Sequence, residues 1–235
     1  MNLNEQIRTT LKETGADLVG FADVADLPGD MTGGLVAAVS IVVRLDPSVV
    51  NEISNGPTQR YYKEYGRLNA LLGKLCRQTA NVLRTCGRQA EAIEATAENF
   101  DTRTLSVPVQ HKTIATRAGV GWIGKSALLI TEEYGTAVRL GSVLTDAEFE
   151  TGEPVVASRC GVCHRCADRC PAGAIVGSNW SLDAPRKSIY DAFSCRKTAM
   201  NLSKHQGIDS TICGICINAC PWTQKYISRE LDASR

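Results

Sequence analysis

Eight of the ten cysteines in this 235-residue chain fall between Cys160 and Cys220, and their spacing limits what the chain can fold into more than any other feature. The first array reads Cys160-Gly-Val-Cys163-His-Arg-Cys166-Ala-Asp-Arg-Cys170-Pro171. The second reads Cys213-Gly-Ile-Cys216-Ile-Asn-Ala-Cys220-Pro221, the same pattern without its first cysteine, because Ser210 stands in that place. Cys195, alone in Ala-Phe-Ser-Cys-Arg-Lys, is the obvious substitute. Thiols spaced this closely wrap a short loop around one centre, while a cysteine held before a proline points out of its loop. The carboxy-terminal third has to fold around whatever these sulfurs hold.

The run C-x2-C-x2-C-x3-C-P is that of bacterial ferredoxins, in which the fourth cysteine ligates the neighbouring cluster. On that pattern one [4Fe-4S] cluster takes Cys160, Cys163, Cys166 and Cys220, and the other takes Cys213, Cys216, Cys195 and Cys170. Structural zinc is the alternative for paired C-x2-C motifs. A zinc ribbon, however, has no use for the two Cys-Pro steps. A disulfide framework is the third possibility and requires an oxidising compartment.

The formal charge of +1 gives no global push toward nucleic acid or a membrane surface. Charge near the cysteines is less even: Arg159, His164, Arg165, Arg169, Arg186, Lys187, Arg196 and Lys197 surround the ligands in sequence. They either balance negative clusters or form a docking face for an acidic electron donor such as a ferredoxin or flavodoxin. The amino terminus carries no signal pattern, and the longest apolar run, Gly34 to Val43, is too short to cross a bilayer. The expectation is a cytoplasmic protein, where thiols stay reduced.

Upstream, Leu3, Ile7 and Leu11 predict an amphipathic helix ending near Gly15. Asp17 to Asp23 and Leu35 to Val43 read as strands, the second apolar enough to be covered on both faces. The stripe Tyr61, Tyr65, Leu68, Leu72, Leu75, Thr79 and Leu83 predicts a long helix over 58–86, closed by Gly87. Cys76 and Cys86, on or beside it, read as small buried hydrophobes. Glu91 to Ala97 reads as a strand, and 127–131 with 136–145 as a hairpin around Glu133-Tyr-Gly. Together these predict an α/β or α+β layer domain over about 1–150 and a ferredoxin-like cluster module over 151–235.

Gly119, Gly121 and Gly124 follow a helical piece, Gln110 to Ala118, and precede a strand. That order is wrong for a dinucleotide fingerprint, which follows a strand and opens a helix.

The stretch Arg117-Ala-Gly-Val-Gly-Trp-Ile-Gly-Lys-Ser-Ala-Leu-Leu-Ile, then Leu140-Gly-Ser-Val-Leu-Thr-Asp, then the arrays ending in Cys-Pro-Trp222, resembles epoxyqueuosine reductase and the related reductive dehalogenases. The resemblance implies a nitroreductase-like α/β module holding cobalamin above two [4Fe-4S] clusters. It makes Arg117, Gly119, Gly121, Trp122, Gly124 and Lys125 the candidate corrinoid-binding residues; a loop that only packs two modules together is the alternative. The pattern also departs from the family. Leu105 stands where the reductases carry a proton-donating aspartate, and no carboxy-terminal tRNA-binding extension follows Cys220. A tRNA substrate is therefore not expected. His111 and Tyr65 are the candidate replacement proton donors, against the ordinary reading of a surface histidine and a packed tyrosine.

Two functions follow. One is a cobalamin-dependent reductase of a small molecule with two clusters as its internal wire. The other is a ferredoxin-like electron carrier or partner-activating subunit that uses no cobalamin.

Overall fold

A computed structural model describes residues 2–93, 95 and 100–233. In chain order the elements are α1 (Leu3–Glu13), β1 (Leu18–Asp23), α2 (Gly29–Thr32), β2 (Ala37–Arg44), α3 (Pro47–Asn51), α4 (Gln59–Thr85), β3 (Ala90–Ile93), α5 (His111–Arg117), β4 (Trp122–Ile123), β5 (Leu129–Ile130), β6 (Val138–Thr145), α6 (Arg165–Asp168), α7 (Ala192–His205), α8 (Ile215–Ala219) and α9 (Pro221–Asp232). Single turns of 3-10 helix lie at Glu52–Asn55 and Arg186–Ser188.

The chain divides into two compact units, and the division is not linear. The first comprises 1–43, 68–121 and 139–155; the second comprises 44–67, 122–138 and 156–235. Set beside a boundary at residue 150, two upstream segments, 44–67 and 122–138, go with the cysteine arrays, and α4 gives its first nine residues to the second unit.

The first unit is a mixed helix and strand layer. Its sheet runs in the order β1-β2-β6-β3, with β1 antiparallel to β2 from Leu18↔Val42 to Asp23↔Ala37, and β3 antiparallel to β6 from Ala90↔Thr145 to Ile93↔Ser142. β2 is buried along all but its last residue, as its unbroken apolar run requires. α1 starts on a capping box, in which the Asn2 side chain takes the Glu5 N–H and Glu5 returns to the Asn2 N–H; Ile7 and Leu11 are buried along it. The apolar stripe of α4 is buried at Leu68, Leu72, Leu75, Thr79 and Leu83.

The second unit is built on short helices and loops. Tyr226 of α9 is fully buried, its hydroxyl donating to the Leu45 carbonyl at 2.8 Å and its ring meeting Tyr134 edge-on at 5.3 Å. Asn218 of α8 donates to the Val50 carbonyl at 2.9 Å, and Thr136 and Thr223 share a buried hydroxyl contact at 3.1 Å. These bonds hold the upstream segments 44–67 and 122–138 against the helices that carry the second cysteine array.

Two expectations need correction, and a third is met as far as the described residues reach. Cys76 is buried as expected, but Cys86, just past the end of α4, is exposed. The hairpin of 127–131 with 136–145 does not form. β5 pairs with β4 (Trp122↔Ile130), and β6 joins the large sheet beside β2 and β3. Reciprocal backbone bonds between Thr131 and Gly135 close a tight turn, and the chain leaves it in a new direction. The strand expected over 91–97 is β3, ending at Ile93; residues 94, 96 and 97 lie outside the described residues.

Candidate metal centre

All eight arrayed cysteines lie in the second unit, and none forms a disulfide. Cys160 and Cys163 sit on the turn before α6, with the Cys163 N–H on the Cys160 carbonyl at 3.1 Å; Cys166 is inside α6, and Cys170 follows it. Cys195 is in the first turn of α7, whose Asp191 cap accepts the N–H groups of Phe193 and Ser194. Cys216 is inside α8, and Cys220 joins α8 to α9, with Pro221 at the first position of the new helix.

The thiols sort themselves by which of them repel one another. Burial, then the neighbouring Cys160, Cys220 and Cys163, pushes the Cys166 thiol up to about 11. Cys220 is raised by burial and by Cys160. In the other direction, burial first and then Cys170 raise Cys195, while burial, Cys195 and Cys170 raise Cys213. Cys216 is driven far above the ordinary thiol range by burial, then by Cys213, Cys195, Cys166 and Cys170. Cys166 thus has Cys160, Cys163 and Cys220 for neighbours, Cys195 and Cys213 have Cys170, and Cys216 meets Cys166 as well as Cys213, Cys195 and Cys170.

Sulfurs placed this way resist ionisation unless a cationic centre sits among them, which is the condition for thiolate coordination. Among the described residues, no three Cys, His, Asp or Glu side chains converge closely enough to hold one metal ion. An all-thiol donor set suits zinc or an iron-sulfur centre; a cluster's irons, unlike a single zinc, are bound one thiolate each. The residues present fit the cluster.

Donors are directed at the sulfurs. The backbone N–H groups of Thr223 and Trp222 at the start of α9 hold Cys220 down against its burial, that of Ile215 does the same for Cys213, and that of Ala167 for Cys166. The Tyr190 hydroxyl is directed at Cys195; burial and then this neighbour hold the tyrosine in its protonated form. Arg186 lies 5.7 Å over the Tyr190 ring. Tyr190 belongs to no cysteine motif, and only its place five residues before Cys195 could have pointed to it.

The candidate corrinoid residues do not come together in one unit. Arg117, Gly119 and Gly121 belong to the first unit, and Trp122, Gly124 and Lys125 to the second. Arg117 ends α5 and is clamped by the Asp26 carboxylate through two bonds of 2.5 and 2.8 Å. Gly119, at φ +70°, backs on Glu153, whose carbonyl oxygen would lie 2.8 Å from an added Cβ. Gly124 backs on the Ile130 side chain and faces Cys160, with 3.5 Å between an added Cβ and Sγ. Trp122 and Lys125 are buried.

His111 opens α5 and its Nδ1 shares a 2.9 Å hydrogen bond with the Ser142 hydroxyl, both in the first unit. Tyr65, in the second unit, packs edge-on to Tyr61 at 6.5 Å. Leu105 has φ +51°, a left-handed conformation rare for a residue with a Cβ.

Of the basic residues, Arg159 pairs with Glu132 at 2.8 Å and Arg169 donates to the Ser54 carbonyl at 2.8 Å. Arg165 and Arg169 line an open cleft of about 460 Å³ between α6 and α8, with Asp168, Asn218, Ala219 and Gln224.

Residues 159–223 match the family of 4Fe-4S double cluster binding domains. The chain as a whole is similar to epoxyqueuosine reductases: it is 30% identical to that of Pseudomonas aeruginosa over 203 residues, which are 84% of this chain and 54% of that one. It spans about half the length of the curated relatives it matches. Its fold is shared with epoxyqueuosine reductase from Streptococcus thermophilus, at a TM-score of 0.61 and 21% identity over 95% of this chain and 67% of that one. It is shared also with a reductive dehalogenase described by a mechanism for B12-dependent dehalogenation, at a TM-score of 0.69 and 18% identity, covering 98% of this chain and 33% of that one. Among the described residues no helix is long and apolar enough to cross a membrane.

Proposed function

We propose that this chain moves single electrons through two [4Fe-4S] clusters, one held by Cys160, Cys163, Cys166 and Cys220 and the other by Cys170, Cys195, Cys213 and Cys216. The observation that carries the reading is that the fourth cysteine of each loop lies with the sulfurs of the other: Cys220 and Cys166 both neighbour Cys160, while Cys195, Cys213 and Cys216 neighbour Cys170. When bound, such clusters supply one-electron storage at potentials anywhere from about −700 to +450 mV, tuned by charge, hydrogen bonds to sulfur and exposure. The chain's own part is to keep these sulfurs dry and to direct N–H and O–H donors at Cys166, Cys195, Cys213 and Cys220.

The finer reading carries the electrons on to a bound corrinoid, whose low-valent cobalt would reduce a small molecule on a nitroreductase-like platform. Its support is the likeness to epoxyqueuosine reductases and the fold shared with a dehalogenase described as B12-dependent. The residues proposed to hold the corrinoid are Arg117, Gly119, Gly121, Trp122, Gly124 and Lys125. On the Cβ side Gly119 and Gly124 meet protein, and Arg117 pairs with Asp26.

The second reading, a carrier or partner-activating subunit, is favoured by Leu105, which has no proton to give. His111 and Tyr65 act as proton donors only under the first reading. Under both, an acidic ferredoxin or flavodoxin in the cytoplasm is the proposed electron donor, and the near-neutral charge of +1 favours a small molecule or redox protein over tRNA. Anaerobic reconstitution with iron, sulfide and cobalamin, followed by gel filtration, separates the readings. Corrinoid bands that travel with the protein support the reductase; cluster absorbance alone supports the carrier. A protein that takes up no iron-sulfur cluster sinks both.

A further inference from the structure

Trp122 carries a donor that none of the described residues receives. The side chain is 1% exposed, and its indole N–H has no hydrogen-bond partner among them. A buried donor left unpaired is destabilising, so a group of this kind needs an explanation. The ring is wedged in place. It meets Trp222 edge-on at 5.2 Å, and the Arg159 guanidinium lies 5.4 Å over it.

The register of β4 says what the ring faces. Side chains two residues apart on an extended strand point to the same side, so Trp122 shares a side with the Cβ position of Gly124. That position abuts Ile130, the cross-strand partner of Trp122, and lies 3.5 Å from Cys160 Sγ. Trp222, the ring's edge-on partner, follows Cys220 by two residues at the start of α9. The side of β4 that carries the indole is thus the side on which Gly124 meets Cys160, and the ring packs against the turn that holds Cys220.

We propose that the Trp122 indole N–H donates a hydrogen bond to a sulfur of the cluster held by Cys160, Cys163, Cys166 and Cys220, and that it raises that cluster's reduction potential. The proposal rests on the ligand sets given above. Reduction by one electron adds negative charge to the sulfurs, so an N–H donor stabilises the reduced form more than the oxidised one. Trp122 is a tuning and positioning residue; it exchanges no proton or electron itself.

The test is an EPR-monitored redox titration of the anaerobically reconstituted full chain, with dithionite as the one-electron source, comparing the wild type with Trp122→Phe. Phenylalanine keeps an aromatic ring in the slot and removes the donor. We expect both proteins to hold two clusters. In the variant the reduced-to-oxidised ratio of one cluster at a fixed potential should fall about tenfold, a midpoint about 59 mV lower for a one-electron couple, with the other cluster unmoved. Should the variant lose a cluster, wild-type protein grown on tryptophan labelled with 15N at the indole nitrogen decides the matter. A hyperfine coupling from an indole N–H to one reduced cluster supports the proposal. Two intact clusters with unchanged potentials, or no indole coupling, overturn it while leaving the ligand sets standing. A wild type that binds no [4Fe-4S] cluster overturns the ligand sets and this proposal together.

Discussion

Replacing Gly135 by alanine should loosen the cysteine unit by much more than the loss of a glycine normally does. Gly135 has φ +58°, and a Cβ there would collide with the Thr223 backbone nitrogen and lie 2.6 Å from both the Thr223 hydroxyl oxygen and the Trp222 carbonyl carbon. The left-handed conformation alone costs a residue with a Cβ about 1–2 kcal/mol. The collision is with backbone rather than a flexible side-chain tip, so the first turn of α9 has to move, which adds about 1–3 kcal/mol of overpacking. Moving it also strains the Thr136 N–H bond to the Thr223 hydroxyl, 3.0 Å, and the two backbone donors directed at Cys220. Gly207 is the internal control: it has φ +64°, and the nearest atom to an added Cβ, Gln59 Nε2, is 4.0 Å away. Gly207→Ala should therefore show only the conformational cost. The two variants should differ by about 2 kcal/mol, or about 1 M in urea midpoint at a slope of about 2 kcal/mol/M. Gly135→Ala should also release iron faster to a chelator under anaerobic conditions. Equal midpoints and equal iron release for the two variants would refute the argument that this turn positions Cys220.

Two further outcomes follow from single contacts. Tyr190→Phe removes the hydroxyl directed at Cys195; a contact that favours the reduced over the oxidised cluster about tenfold lowers the midpoint of the cluster that includes Cys195 by about 59 mV when it is lost, and an unchanged EPR titration contradicts this. Asp46→Ala removes the cap of α3, whose carboxylate accepts from the Ser48 N–H and hydroxyl, and should cost about 1 kcal/mol at neutral pH. Burial pushes the Asp46 carboxyl up, but the bonds from Ser48 and Val49 and the charge of Arg60 outweigh it and hold the pKa low. The stabilisation is therefore present above the ordinary carboxylate range, about 3.9, and is lost as pH falls through the depressed folded value. The stability gap between wild type and variant should close in acid, and a gap independent of pH would contradict the assignment.

The cysteine arrays were legible because their information is local. Thiols separated by two residues on a short loop have few places to go, and Cys-Pro steps direct the fourth sulfur elsewhere whatever the rest of the fold does. The buried strand β2 and the long helix α4 were legible for the same reason, since their apolar periodicity lies within one segment. What could not be read was the choice among distant partners. β6 carries enough apolar residues to pair with β5 or to join a larger sheet, and the tight turn at Thr131–Gly135 decides between them. The assignment of 44–67 and 122–138 to the cysteine unit depends on contacts such as Tyr226 with Leu45 and Asn218 with Val50, more than 160 residues away along the chain. Glycines 119 and 124 illustrate the limit from the other side. Their pattern marked a close backbone approach, but which groups come close, Glu153 at one and Ile130 and Cys160 at the other, could not be read from it.

The most direct test of the whole account is diffraction from the reconstituted protein at the iron absorption edge, which locates iron and its ligands without reference to activity. The account predicts two four-iron centres, with Cys220 bound to the centre of Cys160, Cys163 and Cys166, and Cys170 bound to the centre of Cys195, Cys213 and Cys216. Zinc at these positions, or Cys170 and Cys220 each bound to the centre of its own loop, would contradict it.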